Sequence, residues 1–384
     1  MLFDPSESDP DVADLFVSHA HYDHARGFQF PVQKKHSTKE TVEIYESDTG
    51  RKVGNWQETR RGRRLKLGEV EIEAHDAGHV LGSVQYEIIT PQSSIVYASH
   101  INFTDTLLSR AAEVAPCDLL VIEATYPANA QPRESVVADI VKWALECIKE
   151  HRIPAFETDS IGNAQELTKV FNLWTEAPVI VHPRIARINR VYESNGLGLR
   201  YLDASTDEAL KTIEESPCVV IVPRRFDTTR YGNFRTAYVS GWSGSSLHDS
   251  SREVFPLKDQ SDLDELLRFV EEARPKSVLT FHGASDVFVQ MIAKRLGIQA
   301  RQLVSEPFRK KPPQVKLDEN HLLALRDVLM NFIQTPGFTY EKRDLMALGL
   351  REGFGSNEIE ETLLRLTKNG VLKYSPTTDG YTIT

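Results

Sequence analysis

Cysteine is scarce: three in 384 residues, Cys117, Cys147 and Cys218, odd in number and scattered through apolar surroundings. That speaks against a disulfide framework and against a thiolate metal site, and the three read as buried thiols of a cytoplasmic protein. Long apolar runs are missing as well. None approaches the ~18 residues that a membrane helix needs. The opening Met1-Leu2-Phe3-Asp4-Pro5 has no basic flank leading into an apolar stretch, so neither a signal peptide nor a membrane partner is expected. Positive charge is not in excess either. With 45 Lys and Arg against 55 Asp and Glu, the net charge is −10, which works against attraction of nucleic acid by the whole surface. A local basic track stays open, because the field depends on how charge is distributed.

The first part of the chain reads as strands and turns. Leu15-Phe16-Val17 is a short apolar strand, and Val70–Ala74 alternates as a half-buried strand does. Val84–Ile89 and Ser94–Ala98 read as a pair split by a turn at Pro91, and Leu119–Ile122 as a strand covered on both faces. From about residue 131 the rhythm becomes α/β. Helical spacing over Arg133–Glu150 and Gly162–Thr175 alternates with strand-like Pro178–Val181 and Cys218–Val222, followed by helix, strand and helix at Leu263–Ala273, Ser277–Phe281 and Val287–Leu296. A basic, proline-marked stretch, Arg309-Lys310-Lys311-Pro312-Pro313, reads as a linker. Beyond it, helices at Asn320–Ile333, Lys342–Leu348 and Asn357–Lys368, with a hairpin of Val371–Tyr374 and Tyr381–Ile383, predict a winged helix.

His19-Ala20-His21-Tyr22-Asp23-His24 packs four metal-competent side chains into six positions directly after an apolar strand. A strand end fixes the backbone while the loop turns its side chains inward, which suits a compact cation site. Imidazoles and carboxylates bind Zn²⁺ at roughly 2.0–2.2 Å. His79, between Gly78 and Gly82 in a segment that lets the backbone pass close to a site, is then the expected third imidazole.

The motif His-x-His-x-Asp-His followed by Gly-His resembles the metallo-β-lactamase superfamily. Ser37–Thr41, Ile101-Asn102, Glu123-Ala124-Thr125-Tyr126, Gly162–Glu166 and His282-Gly283 are similar, in order, to its β-CASP branch, the nucleases of RNA 3′-end processing and DNA repair. The pattern is most like that of the short archaeal group related to the cleavage and polyadenylation endonuclease, and it covers about residues 1–307. The resemblance implies an α/β fold: a metallo-β-lactamase αββα sandwich over 1–126 and 257–308, a β-CASP insert over 127–256, a linker at 309–317 and a winged helix at 318–384. It implies that Asp4 orients the His loop, although Asp4 also suits a turn before Pro5. It places one metal on His19, His21 and His79, the other on Asp23, His24 and His282, and the acidic residue opening the insert at Glu123. Asp23, Glu123 and residue 260 would then be the catalytic positions, and the mechanism a metal-activated water attacking a phosphodiester.

Two departures bear on that mechanism. The family carries Gly-Asp before Ile-Asn, its carboxylate bridging both metals; here the pair is Ser99-His100. A carboxylate can span ions roughly 3.5–4 Å apart, whereas a neutral imidazole offers one lone pair and no charge. One zinc is therefore expected, on His19, His21 and His79 and joined by His100. Relatives also read Ser-Asp-His where this chain has Lys258-Asp259-Gln260, and Gln260 donates hydrogen bonds but does not titrate near neutrality. Loss of general acid–base help, typically ~10²–10⁴-fold, joins the loss of the bridge.

Arg61 and Arg63, in Arg60-Arg61-Gly62-Arg63-Arg64, could track a nucleic-acid backbone or form a charged hairpin tip, and Trp242 could stack on a base or plug a cleft. His182 reads as structural; His36, His75 and His248 have no evident partners. The tail from 316 holds eight Lys and Arg against ten Asp and Glu, and Glu358, Glu360 and Glu361 open its third helix. Protein contact or self-association is expected of it before DNA contact. The expected function is that of a metal-dependent RNA or single-stranded DNA hydrolase-like protein with an altered site. Two alternatives stand beside it: an inactive paralogue serving as partner or scaffold, and a mono-zinc hydrolase of small esters.

Overall fold

A computed structural model describes residues 1–9, 11–31, 33–125, 131–228, 233–241, 253–303, 319–333, 339–351, 354, 356–375 and 380–383. The chain falls into two compact units, Met1–Val304 and Ser305–Thr384.

In the first unit, apolar alternation builds two sheets that meet face to face. A four-stranded parallel sheet runs through Leu2–Phe3, Asp14–Phe16, Lys34–Ser37 and Trp56–Glu58. A seven-stranded mixed sheet has the order Gln299–Gln302, Ser277–Phe281, Leu119–Glu123, Ser94–Ala98, Val84–Ile89, Val70–Asp76 and Arg64–Leu67. Phe16 of the small sheet packs against Tyr86 of the large one, ring centroids 5.2 Å apart, and the Tyr86 hydroxyl donates to Val17 O at 2.9 Å. Full burial of a side chain such as Phe16 contributes roughly 1.5–3 kcal/mol. Helices Leu263–Ala273 and Ser285–Leu296 cover the opposite face of the large sheet with Leu263, Phe269, Val270 and Phe288.

Between Glu123 and Ser277 the chain leaves the large sheet and makes a third. Its six strands are all parallel, in the order Leu202–Asp203, Val179–Val181, Val219–Pro223, Ile153–Thr158, Phe234–Val239 and Glu253–Phe255. Helices Arg133–Lys149, Asn163–Trp174, Pro183–Ser194 and Asp207–Glu215 alternate with them, as parallel pairing requires. The mixed α/β character expected from the rhythm change is thus present.

One expectation fails in the strand-rich start. Residues read there as strands and turns contain the helix Lys39–Thr49, capped by the Thr38 hydroxyl on Thr41 N and closed by left-handed Gly50. Its composition, with polar residues on most faces, gives little periodic signal. Cys147 and Cys218 are buried, whereas Cys117 is only half-buried; all three are free. Among the described residues no helix is long and apolar enough to cross a membrane.

The second unit has helices Glu319–Phe332, Lys342–Arg351 and Ser356–Lys368 and a three-stranded antiparallel sheet ordered Tyr340–Glu341, Gly380–Ile383, Leu372–Ser375. Leu325, Leu329, Leu345, Ile359, Leu363 and Leu372 form its core. The expected linker at 309–317 lies outside the described residues.

Candidate metal centre

The strand Asp14–Phe16 ends in a tight loop in which Ala25 N and His24 N both donate to His21 O, at 2.9 and 3.1 Å. That turn aims His19, His21 and His24 inward. His79 arrives from a neighbouring loop whose Gly78 has φ +69°; a Cβ there would lie 2.4 Å from Asn102 O and 2.6 Å from Ala112 N, so no side chain fits. His100 follows the strand Ser94–Ala98. One ligating atom from each of His19, His21, His79 and His100 can be chosen so that all lie within 4.8 Å of one another.

The far side of each ring fixes its proton. His79 Nδ1 lies 2.8 Å from Asp259 O, and His21 Nε2 lies 3.3 Å from Ile161 O. A carbonyl only accepts, so both nitrogens carry hydrogen and the neutral rings leave lone pairs on His79 Nε2 and His21 Nδ1. Those two atoms face each other at 3.0 Å. Ser18 Oγ gives its single proton to Asp4 Oδ2 at 2.5 Å and therefore accepts from His19 Nδ1 at 2.8 Å. His19 Nε2 is left buried, with no hydrogen-bond partner among the described residues. Three lone pairs converging in a largely buried pocket repel unless a cation lies between them. Rings whose outer nitrogen donates to a carbonyl or hydroxyl are also the usual setting of metal-ligating histidines. The residues present fit a divalent ion.

Charge deepens the same picture. Burial, with the neighbouring imidazoles adding, holds His19 well below the ordinary histidine range and brings His79 down to about 3. Burial also depresses His100, against the opposing pull of Glu123. For His24, burial lowers the pKa but is outweighed by the hydrogen bond and charge of Asp4, with Asp23 and Glu123 adding, so the ring rises to about 9. Burial would raise Glu123, yet His100 and His282 hold it below the usual carboxylate range.

Asp4 accepts from Ser18 N at 2.7 Å, Ser18 Oγ, His24 Nδ1 at 2.9 Å and the Tyr97 hydroxyl at 3.1 Å. It adopts φ +41°, an uncommon backbone for a residue with a side chain. Glu123 ends a central strand and receives His100 Nε2 at 2.9 Å and His282 Nδ1 at 3.2 Å on Oε1. His24 Nε2 and Glu123 Oε2 are both buried without a hydrogen-bond partner among the described residues, 3.8 Å apart, and Asp23 Oδ2 is 3.5 Å from His24 Nε2. A second donor set, His24, His100 and Glu123, lies beside the four imidazoles and shares His100 with them.

No family model matches the chain. Curated relatives do. A probable DNA ligase of Opitutus terrae is 27% identical over 331 residues, 78% of this chain and 30% of the relative. An RNase J-like protein of Methanocaldococcus jannaschii is 21% identical over 351 residues, covering 73% and 83%. Subunit 3 of the cleavage and polyadenylation specificity factor of Dictyostelium discoideum is 27% identical over 221 residues, covering 47% and 28%. These relatives indicate the β-CASP nuclease branch of the metallo-β-lactamase superfamily. The chain spans less than a third of two of those three relatives. A solved structure of an Enterococcus faecalis protein of unknown function shares its fold at a TM-score of 0.56 and 16% identity, over 79% of this chain and 81% of the other.

The remaining expected residues fall in different places. Gln260 is buried beside the cluster: its neighbour Asp259 holds His79, and Ser261 N donates to Ile101 O at 2.9 Å. Arg61 lies between Glu40 and Asp76, at 3.6 and 3.5 Å, and Arg63 in the same turn donates its backbone N–H to Arg60 O. Trp242 and His248 lie outside the described residues. His36 and His75, for which the sequence offers no partner, pair with Asp14 at 2.8 Å and Glu87 at 2.9 Å. Missed altogether are Ser18 and the carbonyls of Ile161 and Asp259. Ser18 adjoins the motif and could have been read as its orienting hydroxyl; backbone carbonyls carry no side-chain signal.

Proposed function

We propose that this chain is a nucleic-acid-processing hydrolase-like protein of the β-CASP type that acts on phosphodiester bonds with a divalent ion, at a site altered from the family's. The convergence of the His19, His21 and His79 lone pairs carries this reading. A bound ion would supply Lewis-acid activation of water and charge neutralisation at a phosphate. The chain's own groups do the rest: His19, His21, His79 and His100 hold the ion, and Asp4 and Ser18 orient the loop. Asp23, His24, Glu123 and His282 present charge and protons beside it, and Gln260 donates to a scissile phosphate. Residues 1–126 and 257–308 form the αββα sandwich and 127–256 an insert that covers the cleft for an extended RNA or single-stranded DNA, with Arg61, Arg63 and Trp242 as its contacts. Residues 318–384, after the linker at 309–317, are a winged helix for a protein partner or self-association. The chain works in the cytoplasm. The name of the Opitutus relative favours DNA among the substrates to be tried.

A second reading, a non-catalytic partner or scaffold, is favoured by the buried Gln260, whose amide does not titrate near neutrality. A nuclease assay on single-stranded RNA and DNA with Zn²⁺ or Mn²⁺ separates the two, using wild type and the His100→Asp/Gln260→His double variant. The double variant is expected to cleave at least tenfold faster, ~1.4 kcal/mol in barrier. Silence from both supports the scaffold. Brisk wild-type cleavage abolished by the double change would overturn the assignment of both positions.

A further inference from the structure

Position 100, where the family resemblance calls for a bridging carboxylate, is occupied here by an imidazole with a definite tautomer. Its Nε2 lies 2.9 Å from Glu123 Oε1. A carboxylate accepts, so the proton sits on Nε2 and the lone pair on Nδ1. Nδ1 is buried and has no hydrogen-bond partner among the described residues. The ring is closely surrounded by the other three: centroids lie 4.8 Å from His19, 5.1 Å from His79 and 6.2 Å from His21.

We propose that His100 Nδ1 is the fourth ligand of a single ion held by His19, His21, His79 and His100, and that Glu123 is the positioning residue that frees that nitrogen. The inference rests on the metal-binding reading above and adds to it the nitrogen through which His100 binds, the residue that orients it and the consequence of a closed shell. A tetrahedral zinc with nitrogens at ~2.0–2.1 Å places them roughly 3.3 Å apart. One nitrogen from each of the four rings lies within 4.8 Å of the others, so a small contraction closes the shell. Four neutral nitrogens with no oxygen among them suit Zn²⁺, Cu²⁺ or Ni²⁺ and do not suit Mg²⁺ or Ca²⁺, which take oxygen ligands.

The same contact explains why a second ion is not held tightly. Glu123 Oε1 is engaged by His100 and by His282 at 3.2 Å, and no carboxylate stands at position 100 to be shared. What is left is one imidazole nitrogen of His24 with Asp23, one Glu123 oxygen and the outer nitrogen of the exposed His282. Four protein ligands also leave the ion no open position, the arrangement of structural rather than catalytic zinc sites. His100 is thus the group that must be replaced, or must step off, for water or phosphate to reach the ion.

The test uses the full chain and reads metal binding rather than turnover. Metal content after dialysis against a weak chelator, the visible spectrum of the Co²⁺-loaded protein and X-ray absorption on the zinc form are measured for wild type, His100→Ala, His100→Asp and Glu123→Gln. Wild type is expected to hold one ion with four nitrogen neighbours and to give the intense bands of tetrahedral Co²⁺. His100→Ala should lose at least tenfold in affinity and weaken those bands. Glu123→Gln should lose 10–100-fold, as removal of a ligand's orienting carboxylate does. His100→Asp should raise the content towards two ions. Two ions in wild type, or an affinity and Co²⁺ spectrum indifferent to His100→Ala, would overturn the inference. Should His100→Ala not fold, the nitrogen count in wild type decides: four supports it, three overturns it. A wild type that holds no ion at all would sink the metal-binding reading itself, a separate failure.

Discussion

Asp4 and His24 form a buried ion pair at the candidate site, 2.9 Å apart, and their burial sets what substitution does. Asp4 accepts hydrogen bonds from four donor atoms in a nearly solvent-free place. Asp4→Asn keeps the size but puts an NH₂ where an acceptor is needed. A loss of about 1–3 kcal/mol in stability is expected from denaturant unfolding, with ion affinity down 10–100-fold by titration. Protonation gives a second expectation, for the metal-free protein. His24, raised to about 9 in the fold from an ordinary value near 6.5, contributes stability that is complete below about 6.5 and lost as pH climbs through 9. His79, lowered to about 3, acts oppositely: below about 6.5 the unfolded chain takes up a proton that the folded one refuses, so stability falls as pH drops towards 3. Melting temperatures in EDTA should peak near neutrality. His24→Gln should remove the alkaline decline; an unchanged decline would refute the role given to Asp4 and His24.

At the scale of elements, close backbone approach decides where ligands can stand. Gly78 turns left-handed between the strand Val70–Asp76 and His79, pressed on Asn102 and Ala112, and Gly283 has φ +48° with its missing Cβ only 2.2 Å from Ala124 O. Residue 282 before it is also left-handed, at φ +55°, which swings its ring over Glu123. Left-handed backbone costs an ordinary residue about 1–3 kcal/mol before any overlap. Gly78→Ala is therefore expected to cost more than ~3 kcal/mol and to weaken ion binding by displacing His79, whereas Gly54→Ala, with nothing within 4 Å, should change neither. Chemical denaturation and metal titration of the two variants check this; equal behaviour would show that the loop tolerates movement.

For the whole molecule, the site lies within Met1–Val304, and Ser305–Thr384 has its own apolar core around Leu363. A chain ending at 304 should fold and keep its ion with affinity within about threefold of the full protein, a difference of ~0.7 kcal/mol or less. Loss of the ion on truncation would mean that the second unit supports the first. With a net charge of −10, any nucleic-acid binding would depend on local charge distribution; if it lies in the first unit, as proposed, the shortened chain should keep the strand binding of the full chain.

The sequence by itself determined the elements whose pattern is local. Helix Leu263–Ala273 and strand Ser277–Phe281 were legible to the residue because amphipathic spacing and a clean apolar run survive any packing. The six-position cluster from His19 to His24 and the isolated His79 pointed to a candidate ion site for the same reason: residue type and spacing alone restrict the chemistry. Lys39–Thr49 escaped notice because its helix is made by caps more than by an apolar stripe. Tertiary structure alone decided which nitrogen of each ring faces inward, since Ser18, Ile161 O, Asp259 O and Glu123 Oε1 come from four distant parts of the chain. A histidine's tautomer is set by the acceptor it meets, and that acceptor is chosen only when the chain has folded.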